Sequence, residues 1–306
     1  MAKTKIKNTR RNKRLLFYCI VLALPILQFL IFYLYVNIDS LVLAFQHYEI
    51  KDGALGYNVT FAGFSNFINV FNILKSKPQL LENSLILAAC ELLIGIPLAL
   101  LFSYYIYKKR FMGGWFRVLL FLPQIISGTV FVIIVKVLLG EALPYYNLPN
   151  LLDNKVEVTR FTLIAFTLFL SFGTNVLLFT GAMSNISPSL IEASELDGCN
   201  PIQELFHVTI PCIFPTVVTF IIMIFSSIFV NQMYLFTFAL NNDRLSTIGF
   251  FLYQQSQAKG GGLVPQDATV ASFSTLSAFS LLITLILFPL SLGIRKLLTK
   301  FGPSAR

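Results

Sequence analysis

Residues 187–215 read SPSLIEASELDGCNPIQELFHVTIPCIFP, and this stretch decides how the rest of the chain is read. Ser187 followed by Pro188 is a helix N-cap with proline at the first helical position, the helix runs through Leu190, Ile191, Glu192 and Leu196, and Gly198 supplies a stop. A second helix begins at once: Asn200 is the cap, Pro201 sits at N1, Gln203 at N3 completes a capping-box pattern, and Glu204 suits the positive end of the helix dipole. The pattern predicts two short helices forming an elbow at Asp197-Gly198, closed by Pro211. Its apolar residues Leu196, Ile202, Leu205 and Phe206 need a surface to cover them. Between residues 184 and 209 stand four acids, Glu192, Glu195, Asp197 and Glu204, and no Lys or Arg.

On both sides of the elbow the chain turns apolar. Of its 306 residues 56% are hydrophobic and 12% charged, with a mean hydropathy of +0.75. A soluble protein carries about a quarter charged residues, so this one belongs in a bilayer, and disorder, fibres and disulfide scaffolds are excluded together. Stretches of about 20 apolar residues fall near Leu15–Val36, Ser84–Tyr107, Val118–Leu139, Phe161–Met183, Ile210–Leu240 and Ala268–Ile294, which predicts an all-α membrane protein of six transmembrane helices. The first is too long for a signal-peptide core and lacks a cleavage site, so it reads as retained. The fifth is too long for one straight crossing and is expected to tilt or break near Pro211 and Pro215.

A net charge of +9 would suggest nucleic acid in a soluble chain. Here the basic residues flank apolar spans and set orientation instead. Lys3, Lys5, Lys7, Arg10, Arg11, Lys13 and Arg14 precede span one; Lys108, Lys109, Arg110 and Arg117 follow span two; Arg295, Lys296, Lys300 and Arg306 follow span six. Most of the 23 basic residues then lie inside, with both termini cytoplasmic. The acidic elbow departs from that bias, and a basic protein surface in the cytosol is what it would answer to. The resulting organisation is a basic tail (1–14), span one (15–36), an outer loop (37–82), a core of spans two to six (83–294) holding the elbow loop (184–209), and a cytoplasmic tail (295–306). The outer segments around Gly53, Gly56 and Gly63 and around Gly260, Gly261, Gly262 and Pro265 read as irregular.

The chemical inventory is sparse. His47 and His207 stand far apart, so no histidine metal centre is expected. Cys19, Cys90, Cys199 and Cys212 form no CxxC pair, and the glycine run is followed by Leu263 rather than Lys-Ser or Lys-Thr, so a nucleotide P-loop is absent. No catalytic residue is expected. Two ionisable groups sit within spans, Glu91 and Lys136. A structural pair or a snorkelled lysine is one reading, and a place on a proton or ion path is the other.

The elbow resembles the EAA loop of binding-protein-dependent ABC transporter permeases, whose pattern is Glu-Ala-Ala-x2-Asp-Gly-Ala-x3-Gln-x-Phe followed by Ile-x-Leu-Pro. Glu192, Ala193, Asp197, Gly198 and Gln203 match it. Ser194 and Cys199 replace alanines, Leu205 stands at the usual Phe with Phe206 beside it, and Ile210 replaces the Leu before Pro211. Gly63-Phe64-Ser65-Asn66-Phe67, Asn83-Ser84, and Arg117 with Leu122-Pro123 look like further segments of the carbohydrate-uptake branch, which includes the maltose and glycerol-phosphate type permeases. The Gly-Gly-Pro often found after span five is missing, with Asn241-Asn242-Asp243 near that place.

What the resemblance implies is a type I, MetI-like permease bundle in a bacterial or archaeal plasma membrane, half of a pore, importing a carbohydrate by alternating access. Its implied partners are a second, similar permease in a heterodimer, two copies of a cytosolic ATPase carrying ATP and Mg, and an extracytoplasmic solute-binding protein. Glu192, Ala193, Ser194, Asp197, Gly198, Gln203 and Phe206 would couple to the ATPase. Substrate contacts must come from polar groups facing the interior: Gln124 and Ser127 after Pro123, Ser171, Thr174 and Asn175 in span four, and Asn231, Gln232 and Tyr234 in span five. Hydrogen bonds between helices are the plain alternative for any one of them. A permease for another solute class stays open; an ion-coupled carrier would need acids on several spans, and an embedded enzyme a nucleophile with its base.

Overall fold

A bilayer leaves the backbone no water to bond, so each crossing must satisfy its own N–H and C=O groups as helix. The computed structural model, which describes residues 15, 17–50, 57–108, 112–152, 155–238, 240, 242–259 and 273–303, contains six helices long and apolar enough to cross a membrane. They are α1 (Phe17–Ala44), α3 (Gln79–Tyr107), α5 (Gly128–Tyr145), α6 (Val156–Met183), α8 (Pro201–Ser227) and α11 (Phe273–Phe301). Between them lie α2 (Ser65–Ser76), α4 (Gly113–Ile125), α7 (Pro188–Leu196), α9 (Leu235–Phe238) and α10 (Ile248–Lys259). The tail 1–14, the glycines at 53, 56 and 260–262, Pro265, Lys109, Arg110, Asn241 and Arg306 lie outside the described residues.

The chain divides into two contact units, Met1–Asn72 with Gly261–Leu282, and Ile73–Gly260 with Ile283–Arg306. Within the first, the outer segment is not the irregular loop its glycines suggest. Strand β1 (Gln46–Ile50) pairs antiparallel with β2 (Tyr57–Phe61), Gln46 opposite Phe61 and Ile50 opposite Tyr57. Gly63 turns the chain at φ +54°, a conformation glycine adopts at no steric cost. Buried Asn66 then donates to the carbonyls of Ala44 and Gln46, 2.9 Å each, tying the start of α2 to the end of α1. Phe45 packs on Phe64 and Phe67, at 5.8 and 5.3 Å between ring centres. The Gly-Phe-Ser-Asn-Phe segment is thus a clasp built of one turn, one amide and two rings.

In the second unit α3 and α6 form the principal packed pair. Gly95 allows the close approach, since a Cβ there would lie 3.2 Å from Leu168 Cδ2. Ser103 donates 2.6 Å to Ala99 O and sits 3.0 Å from Val176 O across the pair, the small-residue bonding that holds helices together in lipid. Two apolar clusters stand at different levels along these helices. One gathers Leu87, Leu163, Phe166, Leu170, Met233 and Phe238; the other Ile96, Leu100, Val176, Phe179, Ile213 and Phe220.

The crossings depart from the expected spans in two places. Span three is two helices, because Ile126 and Ser127 are extended, and Ser127 O starts α5 by accepting from Phe131 N at 2.9 Å. Span five does not break at Pro211 or Pro215. Instead α8 runs unbroken from the elbow through both prolines. A widened π turn at Leu205–Thr209 precedes Pro211, so the regular backbone ladder is already altered where the proline lacks its N–H. The break comes after Ser227, and there Met233 and Tyr234 take left-handed conformations at φ 48° and 55°. The second elbow helix is therefore the first part of span five.

Candidate functional site

Apart from its first cap, the elbow is built as its sequence demands. Ser187 is extended before Pro188, but its side chain does not cap the helix, its hydroxyl lying 2.8 Å from Ser189 Oγ instead; α7 ends in a Schellman motif, Cys199 N donating to Ser194 O and Gly198 N to Glu195 O, both 3.1 Å, with Gly198 at φ +78°. No atom lies within 4 Å of where a Cβ on Gly198 would stand, so the glycine is required by backbone angle and not by space. Asn200 and Gln203 form the full capping box, Gln203 N to Asn200 Oδ1 at 2.8 Å and Asn200 N to Gln203 Oε1 at 3.0 Å. Glu192, Ala193 and Asp197 are exposed, whereas Ser194 is buried with its hydroxyl bonded to Ile191 O at 2.8 Å. The serine that replaces the family alanine therefore faces the protein's own bundle. Leu196, Ile202 and Phe206 are 89%, 69% and 58% exposed, apolar groups without a cover among the described residues, while Leu205 is buried.

Two of the elbow's four acids share one cation. Lys108, at the end of α3, lies 2.8 Å from Glu204 and 3.1 Å from Glu195, so one ammonium ties span two to both arms of the elbow. Burial would lower the Lys108 pKa, but the hydrogen bonds and charges of Glu204 and Glu195 outweigh it and hold the ammonium above the ordinary lysine value. Glu192 and Asp197 remain as the outward-facing acids.

The second constellation lies where α8 ends. Unwound backbone at membrane depth is tolerated where it lines a cavity or is buried in protein, and residues 228–234 do both. Asn231 Oδ1 accepts from Met233 N at 3.0 Å, its backbone carbonyl accepts from Thr247 Oγ1 at 2.8 Å, and its amide donates to Glu91 Oε1 at 3.3 Å. Thr247 also caps α10, accepting from Phe250 N at 3.1 Å. Gly249 sits so close to this segment that an added Cβ would strike the Val230 carbonyl. Behind it, buried Asn83 donates to Arg244 O and Ser246 O at 2.9 Å each, and Ser84 Oγ bonds Ile248 N at 3.1 Å. The Asn-Ser pair read as a family mark is thus the strap that holds the return segment.

Two cavities open here. One, about 570 Å³, is lined by Glu91, Thr167, Ser171, Asn231, Gln232, Tyr234, Thr237 and Tyr253 among others. The other, about 520 Å³, shares Glu91, Ser171 and Val230 and adds Thr174, Asn175, Ser226 and Ser227. Along each helix they fall between the two apolar clusters: Glu91 between Leu87 and Ile96, Ser171 between Leu170 and Val176. Of the polar residues singled out in the sequence, Ser171, Asn231, Gln232 and Tyr234 line the first cavity, and Ser171, Thr174 and Asn175 the second. Ser127 does not line either cavity, for it belongs to the break between α4 and α5, and the side chain of Gln124 lies outside the described residues. Neither cavity contains Lys136, and among the described residues Glu91 forms no ion pair with it, so the pairing of these two charges fails.

Glu91 is what sequence reasoning discounted. It opens the π turn Glu91–Gly95 of α3, a widened turn that lets the helix accommodate Pro97 and re-aims the side chain at its start. An intramembrane acid is itself the signal that could have found it. Thr167, Thr237 and Tyr253 carried none, because their convergence depends on the return of α10.

The model of the family described as "Binding-protein-dependent transport system inner membrane component" matches residues 92–303. Similar proteins include the arabinooligosaccharides transport system permease protein AraP of Bacillus subtilis (strain 168), 27% identical over 248 residues and 76% of each chain. Another is the polygalacturonan/rhamnogalacturonan transport system permease protein YteP of the same organism, 26% identical over 233 residues and 70% of each chain. Among solved structures, a chain of a bacterial ABC transporter involved in import of the acidic polysaccharide alginate superposes with a TM-score of 0.74 at 20% identity, over 95% of this chain and 97% of that one. With a fold shared over nearly its whole length and a family match over more than two thirds, this chain belongs to the inner membrane components of binding-protein-dependent transport systems, and is a multi-pass permease subunit.

Proposed function

We propose that this chain forms one half of the translocation path of an ATP-driven carbohydrate importer. The observation that carries the reading is mechanical: the elbow and the polar cavity are the two ends of one helix. α8 starts at the elbow's Asn200 cap and ends at Ser227, directly before the unwound segment that lines the cavity. Its 27 residues span about 40 Å at about 1.5 Å per residue. A displacement of the elbow by an ATPase is carried along this rod to the cavity, which is how domain closure on one side opens the other. The Lys108 tie makes α3 move with it, and α3 carries Glu91.

The partners that complete the machine are a second, similar permease, two copies of an ATPase holding ATP and Mg, and an extracytoplasmic solute-binding protein. The exposed apolar groups Leu196, Ile202 and Phe206, flanked by Glu192 and Asp197, support ATPase docking, since charged rims around an apolar centre are the usual anatomy of such an interface. Carbohydrate is supported by the cavity's hydroxyls, amides and tyrosines, which suit sugar hydroxyls and ring faces, and by the substrates of AraP and YteP. Basic flanks support a cytoplasmic position for both termini in a bacterial or archaeal cell. The test is reconstitution of the co-purified complex in proteoliposomes: uptake of a saccharide held by its binding protein requires ATP and survives dissipation of ion gradients. Uptake that follows the ion gradient and ignores ATP refutes the reading.

A further inference from the structure

Among the proteins that this chain resembles, AraP is an arabinooligosaccharide permease, whereas YteP is a polygalacturonan permease and the alginate importer handles an acidic polysaccharide. Resemblance therefore does not choose between neutral and anionic sugars, but the charge of the cavities does. Of the described residues lining the two, Glu91 alone is an acid and none is Lys, Arg or His. It lines both, together with Ser171 and Val230. Its carboxylate has about four acceptor positions. One hydrogen bond reaches Oε1, from Asn231 at a long 3.3 Å, and Thr167, Gln232 and Tyr234 line the same cavity.

We propose that Glu91 sets the charge selectivity of this path, accepting hydrogens from the hydroxyls of uncharged sugars and turning away sugars that carry a carboxylate. The proposal rests on the cavity being a carbohydrate site. A carboxylate can accept from adjacent hydroxyls of one ring through both oxygens, a geometry that a uronate's own acid group cannot enter without like-charge repulsion. In a cavity partly shielded from solvent, that repulsion is screened less than at a surface.

The experiment measures binding of a neutral galactose trisaccharide and of trigalacturonate, which differ at C6, to the full complex in detergent without the solute-binding protein, so that delivery does not filter the ligands. The wild-type complex binds the neutral trisaccharide at least tenfold more tightly, and the preference shrinks as salt rises. Glu91→Gln brings the ratio near one, and Glu91→Asp retains it. Should Glu91→Gln fail to assemble, Gln232→Lys, which adds a cation to the same cavity with Glu91 intact, recovers trigalacturonate binding. Equal binding of both sugars by the wild type, or a ratio unmoved in Glu91→Gln and Gln232→Lys alike, overturns the proposal. Binding of neither sugar by a complex that imports another class of solute overturns the carbohydrate reading and this inference with it.

Discussion

Lys108→Met removes the positive charge from the tie between span two and the elbow. Glu204 is then left 3% exposed at its side chain, facing no cation, while Glu195, at 61%, turns to water. Exposed pairs contribute about 0 to 1 kcal/mol, and breaking a fully buried one costs about 3 to 5. With Lys108 17% exposed and Glu204 nearly enclosed, the expected cost is about 2 to 3 kcal/mol. The loss should be local, loosening the elbow against α3 before the bundle melts, so ATP hydrolysis in the assembled complex continues while uptake per ATP falls. Glu204→Gln in the same background relieves the stranded charge. A double-mutant cycle on thermal stability should therefore give a coupling of about 1 to 2 kcal/mol, within the range for residues in direct contact. Because the Lys108 pKa is raised in the folded state, the contribution of its charge is complete below the ordinary lysine value and is lost as pH rises through the folded value. Strictly additive losses, with coupling below about 0.5 kcal/mol, and unchanged transport stoichiometry in Lys108→Met would refute the tie.

Other substitutions probe the remaining joints. Gly198→Ala forces a side chain to φ +78°, costing about 1 kcal/mol at the elbow; together with Glu192→Ala it should weaken ATPase co-purification while membrane insertion of the chain stays normal. Asn231→Leu removes the partner of Glu91 and the turn bond to Met233, and should lower the melting temperature of the complex by the equivalent of about 1 to 3 kcal/mol; Asn231→Asp, which adds a like charge beside Glu91, should be worse than Asn231→Ser. Gly249→Ala drives a methyl into the Val230 carbonyl and should disorder the return segment, read as faster amide exchange in residues 228–250 with the elbow unaffected.

Asn231 shows how far residue-by-residue reading reaches. An amide in an apolar span had to bind either a neighbour or a ligand. The fold places it on both sides of that choice, bonded to Met233 and Glu91 yet lining the cavity. Span five shows where such reading fails. Its prolines were the obvious breakers, but a π turn stands just upstream of the first, and the chain unwound instead at Val230–Tyr234, where no proline or glycine marks the spot. There the freed backbone groups find other partners, the Asn231 carbonyl in Thr247 Oγ1 and the Met233 N–H in Asn231 Oδ1.

What the sequence by itself determined is everything governed by short range or by solvent. Six apolar runs had to become helices because lipid offers the backbone nothing to bond. The elbow had to form because each of its helix ends is set by residues no more than three or four apart, Ser187 to Pro188, Asp197 to Gly198, Asn200 to Gln203. The tertiary structure alone decided which acids of the elbow face outward, since Lys108 reaches them from 87 and 96 positions away, and it alone turned Glu91 from a stray charge into the one acid of a polar cavity. The physical reason is the same in both cases: the field and the free acceptor positions of a charged group are set by what the fold brings within about 4 Å of it, and no local pattern encodes that.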